Sequence, residues 1–75
     1  MADDLLDLKG LNCPLPVLRT ARAIAGLKPG DMLTVEATDP LAGVDIPHFC
    51  RQKGHDLVSR STDGAVLRFT IRKGA

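Results

Sequence analysis

At 75 residues the chain has room for one small domain, and a fold of that size buries roughly 60% of the surface its unfolded chain exposes. Ten basic residues stand against nine acidic ones, for a net charge of +1, and the only aromatics are Phe49 and Phe69. Neither a polycationic surface nor a stacking platform is available, so base-specific nucleic-acid binding is not expected.

Met1-Ala2-Asp3-Asp4 opens the chain without an apolar signal region, and no run of 18 apolar residues follows; the reading is a cytoplasmic protein with no membrane span. The only cysteines are Cys13 and Cys50. They are expected as thiols rather than as a structural disulfide.

In chain order, Leu5-Leu6-Asp7-Leu8 reads as a strand closed by Lys9-Gly10. Residues 14–27 read as a helix, with Val17, Leu18, Ala21, Ile24 and Ala25 on one apolar stripe and a stop at Gly26 and Pro29-Gly30. Pro14 and Pro16 fall in its first turn, where a missing N–H costs little. Residues 32–38 alternate and form a second strand. Asp45-Ile46-Pro47 predicts a second helix over about 45–53, ended by Gly54, with a first turn at 40–43. A third strand is expected over 55–62, with Leu57 its clearest apolar position. Asp63-Gly64 signals a hairpin into a fourth strand over 65–72, and the tail from Lys73 is expected to fray. The order β-α-β-α-β-β implies an α+β fold. It is a two-layer sandwich, with both helices on one face of a four-stranded mixed sheet. Strands one and two should be parallel through the first crossover. One domain spans residues 1–75, ordered over about 4–73.

The chemistry concentrates at Cys13-Pro14-Leu15-Pro16. Cys13 sits at the N-cap of the first helix or one residue outside it, and a residue before proline is pushed toward extended geometry. That leaves the sulfur at the rim of the fold. A helix N-terminus favours an anion, which lowers cysteine pKa values from about 8.5 into the range of roughly 3.5–7.5; Arg19, Arg22 and Lys28 add positive charge. Nothing in the spacing sets His48 or His55 beside the sulfur as a base, and there is no C-x-x-C dithiol. A single activated thiol suits group transfer by thiol exchange.

Cys50 shares a helical stripe with Ile46 and Phe49 and reads as a small core hydrophobe. His48 falls off that stripe toward solvent, and His55 belongs to a turn or strand edge. No ligand-pair spacing suggests a metal. Asp39 and Asp45 read as helix-start caps. Residues 31–45 carry four acids and no base, while 46–75 carry six bases and two acids, which suggests surfaces of opposite sign for docking partners. Two other functions compete. One is an adaptor domain acting through those charged surfaces without thiol chemistry. The other is a thiol peroxidase or reductase pairing Cys13 with Cys50, which requires their Cα atoms within about 7 Å.

Taken together, Cys13-Pro14-x-Pro16, Pro29-Gly30, Thr38-Asp39-Pro40, Asp45-Ile46-Pro47, Phe49-Cys50, Gly54-His55 and Ile71-Arg72-Lys73 resemble the TusA/SirA-like sulfur carrier family from Leu8 to Lys73. The resemblance implies the same β-α-β-α-β-β sandwich. It implies a persulfide on Cys13, supported by Pro14 and Pro16, received from a cysteine desulfurase or rhodanese and relayed to a sulfur-accepting protein. Such a chain is a carrier with a covalent intermediate rather than a stand-alone catalyst. It needs no cofactor or metal and works as a monomer that changes partners, with Leu15, Arg19, Arg22 and Asp39 as partner-facing residues. Members serve tRNA 2-thiolation, sulfur oxidation or cofactor sulfur supply. Leu15 stands where well-known tRNA-thiolation members carry glutamate, which leaves the pathway open.

Overall fold

In strand β2 (Met32–Ala37) residues alternate between half-buried and buried, with Leu33, Val35 and Ala37 on the inner face. That period of two sets the sheet. The computed structural model describes residues 3–74. Strand β1 (Asp3–Leu8) runs parallel to β2, pairing Leu6 with Val35 and Leu8 with Ala37. Strand β4 (Val66–Arg72) runs antiparallel on the other side of β2, setting Phe69 opposite Val35 and Ile71 opposite Leu33. Strand β3 (Asp56–Asp63) forms the far edge, hairpinned to β4 with a register shift between Leu57 and Ser59. The strand order is β1-β2-β4-β3, the mixed sheet expected from the element order.

Helix α1 (Leu15–Ala25) packs against β1 and β2, α2 (Ala42–Lys53) packs against β3 and β4, and the helices touch each other. Their inward residues Ile24, Ala42, Ile46, Phe49 and Cys50 close one core with Leu8, Leu33, Val35, Ala37, Phe69 and Ile71. The opposite sheet face is mixed, with Leu5 exposed on it beside charged and hydroxyl side chains. There Arg68 donates twice to one oxygen of Glu36, at 2.9 and 2.7 Å, and Lys9 bridges Asp7 and Glu36. The acidic run 31–45 therefore does not make one acidic surface, since Glu36 is spent on cations across the sheet.

Several expectations are corrected. Helix α1 is shorter than 14–27, and its buried stripe is Pro16, Thr20 and Ile24, with Leu18 left 57% exposed. Thr20 can be buried because its hydroxyl donates to the Pro16 carbonyl at 2.8 Å, which satisfies it within the helix. Helix α2 begins at Ala42, so the turn expected at 40–43 runs without a break into the helix expected from 45, and Pro47 lies inside it. A proline there has no N–H for the carbonyl four residues back. That carbonyl belongs to Gly43, and it accepts from Arg60 Nη2 at 3.2 Å. Arg60 pairs with Phe69 in the ladder, and its guanidinium lies 5.6 Å from the Phe69 ring centroid. An arginine thus serves where an apolar residue would be expected, its guanidinium lying over the ring and capping a helix defect. Gly54 ends α2 with φ +77°, donating back to the Cys50 carbonyl, a left-handed cap that suits glycine.

The chain end is tied down through Gly74. Lys73 exchanges backbone hydrogen bonds with Gly30 and Asp31, and its Nζ donates to the carbonyls of Ala25 and Leu27 at the end of α1. Gly74 N–H donates to His55 Nδ1 at 3.0 Å. Predicted fraying fails here because the lysine answers helix-end carbonyls that would otherwise face water; Ala75 lies outside the described residues. Among the described residues, no helix is long and apolar enough to cross a membrane.

Candidate functional site

Parallel strands deliver their following loops to the same edge of a sheet. Because β1 and β2 are parallel, the segment leading into α1 and the segment leading into α2 emerge side by side. The first leaves β1 through Lys9 and Gly10, where φ is +86°, a conformation that glycine adopts at little cost. Gly10 N–H donates to Thr38 Oγ1 at 2.8 Å, tying this turn to the end of β2. Leu11 folds against the core, and Asn12 and Cys13 follow on the rim.

Cys13 is exposed and lies one residue before Pro14, the N-cap of α1, across a cis peptide bond. Two carboxylates from the neighbouring segment reach it. Asp39 Oδ2 accepts the backbone N–H of Cys13, while its Oδ1 accepts the N–H of Leu41 at 3.0 Å. One side chain thus joins the start of α1 to the start of α2. Asp45 Oδ2 accepts the Cys13 thiol at 3.3 Å. Asp39 was expected as a cap and a partner-facing residue; it is a clamp between the loops. Asp45 is no cap, since Leu41 holds that position and Asp45 sits in the first turn of α2.

The expected lowering of the Cys13 pKa is overturned. The hydrogen bond to the Asp45 carboxylate, helped by the charges of Asp45 and Asp39, pushes the thiol up from its ordinary value. The helix N-terminus does not offset this, for a structural reason. Of its first four positions, Pro14 and Pro16 have no N–H, and Leu15 spends its own on the Asn12 carbonyl at 2.9 Å. Only Val17 retains a donor not used in this way. The prolines that turn the chain thus also strip the helix end of the N–H groups that would favour an anion.

The other candidates separate cleanly. Leu15 is 42% exposed, and Arg19 and Arg22 lie exposed along α1. Leu18 joins them, as do Leu41 and Val44 at the start of α2. An apolar, solvent-facing margin therefore follows both segments that meet at Cys13. Cys50 is 1% exposed, packed in the core with Ile46 and Phe49, and burial raises its thiol pKa. His48 is exposed, and His55 is engaged with Gly74 and the Phe49 ring. Among the described residues the hydrogen-bond partners of Cys13 are aspartates and neither histidine, and no group of three or more His, Cys, Asp or Glu is arranged to hold a metal. Asp45 is the site residue that the sequence reading missed. The predicted parallel crossover placed both helix starts at one sheet edge, a signal sufficient to have brought it to Cys13.

The family model for the sulfurtransferase TusA matches residues 5–73. The candidate sulfur carrier protein YrkI of Bacillus subtilis (strain 168) is 42% identical over 73 residues, covering 97% of each chain. Among solved structures, a SirA-like protein from Desulfitobacterium hafniense superposes with a TM-score of 0.84 at 26% identity, covering 96% of this chain and 99% of that one. A family match over nearly the whole length, a relative of this closeness and the same sandwich in a solved neighbour converge: the chain belongs to the TusA family of sulfur carriers.

Proposed function

We propose that this chain carries sulfane sulfur as a persulfide on Cys13 and relays it between two partner proteins. The donor is a protein persulfide of the kind formed on a cysteine desulfurase or rhodanese, and the acceptor is a protein thiol. In loading, the Cys13 thiolate attacks the outer sulfur of the donor's R–S–SH. A bond forms from Cys13 Sγ to that sulfur, the donor's S–S bond breaks, and the donor leaves as R–S⁻. The proton released by Cys13 returns to the leaving thiolate, so the exchange is neutral in charge and in redox state. In unloading, an acceptor thiolate attacks the outer sulfur of Cys13–S–SH and Cys13 leaves. No cofactor enters either step.

The observation that carries this reading is the placement of Cys13, exposed on the rim and gripped at its backbone by Asp39, in a chain of a sulfur carrier family. The exposed Leu15, Leu18, Leu41 and Val44 supply apolar surface for the short-lived complexes a relay requires, with Arg19 and Arg22 beside them to orient a partner.

Incubation with a cysteine desulfurase and free cysteine, read by intact mass, tests it. The wild-type chain should gain the mass of one sulfur atom and the Cys13→Ser variant none. A gain that persists in Cys13→Ser, or no gain with either class of donor, contradicts the proposal.

A further inference from the structure

We propose that Asp45 is a positioning residue for Cys13: it holds the thiol by its S–H in the free protein and makes the sulfur selective for reaction partners that bring positive charge. This rests on the reading of Cys13 as the atom that takes up sulfur, and it adds what decides when that atom becomes a nucleophile.

The geometry is specific. The thiol points at Asp45 Oδ2, 3.3 Å away, rather than at solvent or at a histidine. The charged groups acting on it are Asp45 from α2 and Asp39 from the β2–α2 segment, both negative; α1 itself offers no opposing cation to the sulfur. Its prolines and the Leu15–Asn12 bond have already consumed most of the N–H groups at its mouth. A thiol that donates to a carboxylate is held in its protonated, weakly nucleophilic form. An exposed sulfur guarded in this way resists adventitious disulfides and electrophiles while the protein travels alone. A cationic group set against Asp45 in a docked complex withdraws that restraint, because the carboxylate then has a better partner than the thiol. The charge chemistry of a productive partner follows: a lysine or arginine beside its reactive sulfur.

Methanethiosulfonate reagents test this without any sulfur donor. The Cys13 thiolate displaces methanesulfinate, forming a mixed disulfide, and its proton passes to Asp45 or water. Reagents with a trimethylammonium or a sulfonate tail share that chemistry and differ in charge. At low ionic strength the cationic reagent should react faster with the wild-type chain. Asp45→Asn should cut the cation-to-anion rate ratio by about five-fold or more, the scale expected for one unit charge a few ångströms from the sulfur. The same variant should move the pH profile of Cys13 alkylation by iodoacetamide to lower pH. Asp45→Glu should retain both properties, and Asp4→Asn, at the opposite end of β1, should leave both unchanged.

An unaltered ratio and pH profile in Asp45→Asn overturns the proposal, as does an equal fall in Asp4→Asn. Because no donor is present, failure here leaves sulfur loading untouched, and failure of loading leaves this result standing.

Discussion

Replacing Cys50 by serine separates the two cysteines by role. Cys50 is 1% exposed and belongs to the core around Ile46 and Phe49. A hydroxyl placed there without a partner costs about 1–3 kcal/mol. Helical position relieves part of this, because a serine on α2 can bond back to the carbonyl four residues earlier, that of Ile46. The expected loss is therefore about 1–2 kcal/mol. At ~4–8 °C per kcal/mol for a domain of this size, the midpoint of thermal unfolding should fall by about 4–16 °C. A chain of this length has roughly 4–11 kcal/mol of total stability, so the variant remains folded at 25 °C. Cys50→Ala, which adds no polar group, should cost about 1 kcal/mol. Thermal unfolding followed by circular dichroism gives the stability, and intact mass after desulfurase treatment gives the function. Cys50→Ser should be less stable and should still take up one sulfur. An unchanged midpoint would refute the packing argument. Loss of sulfur uptake in the folded variant would refute the assignment of Cys50 to the core alone.

Arg60→Ala should cost about 1 kcal/mol by removing the donor to the Gly43 carbonyl and the cation above Phe69. In a Pro47→Ala background the cost should shrink, because the restored N–H can satisfy that carbonyl; equal costs in the two backgrounds, in urea unfolding, would contradict the pairing of the two features. His55 supplies a pH dependence. Burial, and then the charge of Lys73, hold its pKa below the ordinary imidazole value, and its Nδ1 must keep a lone pair to accept Gly74 N–H. The unfolded chain therefore takes up the proton first, near pH ~6.5, so this contribution is complete above that pH and declines as pH falls below it. The melting temperature should drop between about pH 7.5 and 5.5, and His55→Gln should show a smaller drop; identical drops would count against it.

The fold was legible because strands and helices announce themselves by period. The alternation in 32–37 and the Asp63-Gly64 turn settle β2 and the final hairpin. Strand β3 was harder to read, since Arg60 pairs with the buried Phe69 and sets its guanidinium over that ring, at a position that sequence patterns count as polar. The stripe of α1 was misjudged for a related reason. Thr20 satisfies its hydroxyl on the Pro16 carbonyl and goes inside, leaving Leu18 to solvent. At the site, Cys13 and its rim position followed from the proline-bounded helix start. The sign of its electrostatics did not. That depends on Asp39 and Asp45, 26 and 32 residues away in sequence, and on which helix N–H groups the prolines remove. Local rules treat a helix N-terminus as uniformly positive, whereas this one has two of its first four donors removed by proline and a third engaged by Asn12.

The most direct measurement locates the sulfur. Tryptic cleavage separates the cysteines, placing Cys13 in the peptide 10–19 and Cys50 in the peptide 23–51. After loading with a desulfurase and cysteine, one portion trapped at once with iodoacetamide should show the added sulfur on peptide 10–19, and a second portion given a sulfur-accepting protein thiol before trapping should have lost it. Extra sulfur on peptide 23–51, or sulfur on peptide 10–19 that no acceptor removes, would contradict a relay through Cys13.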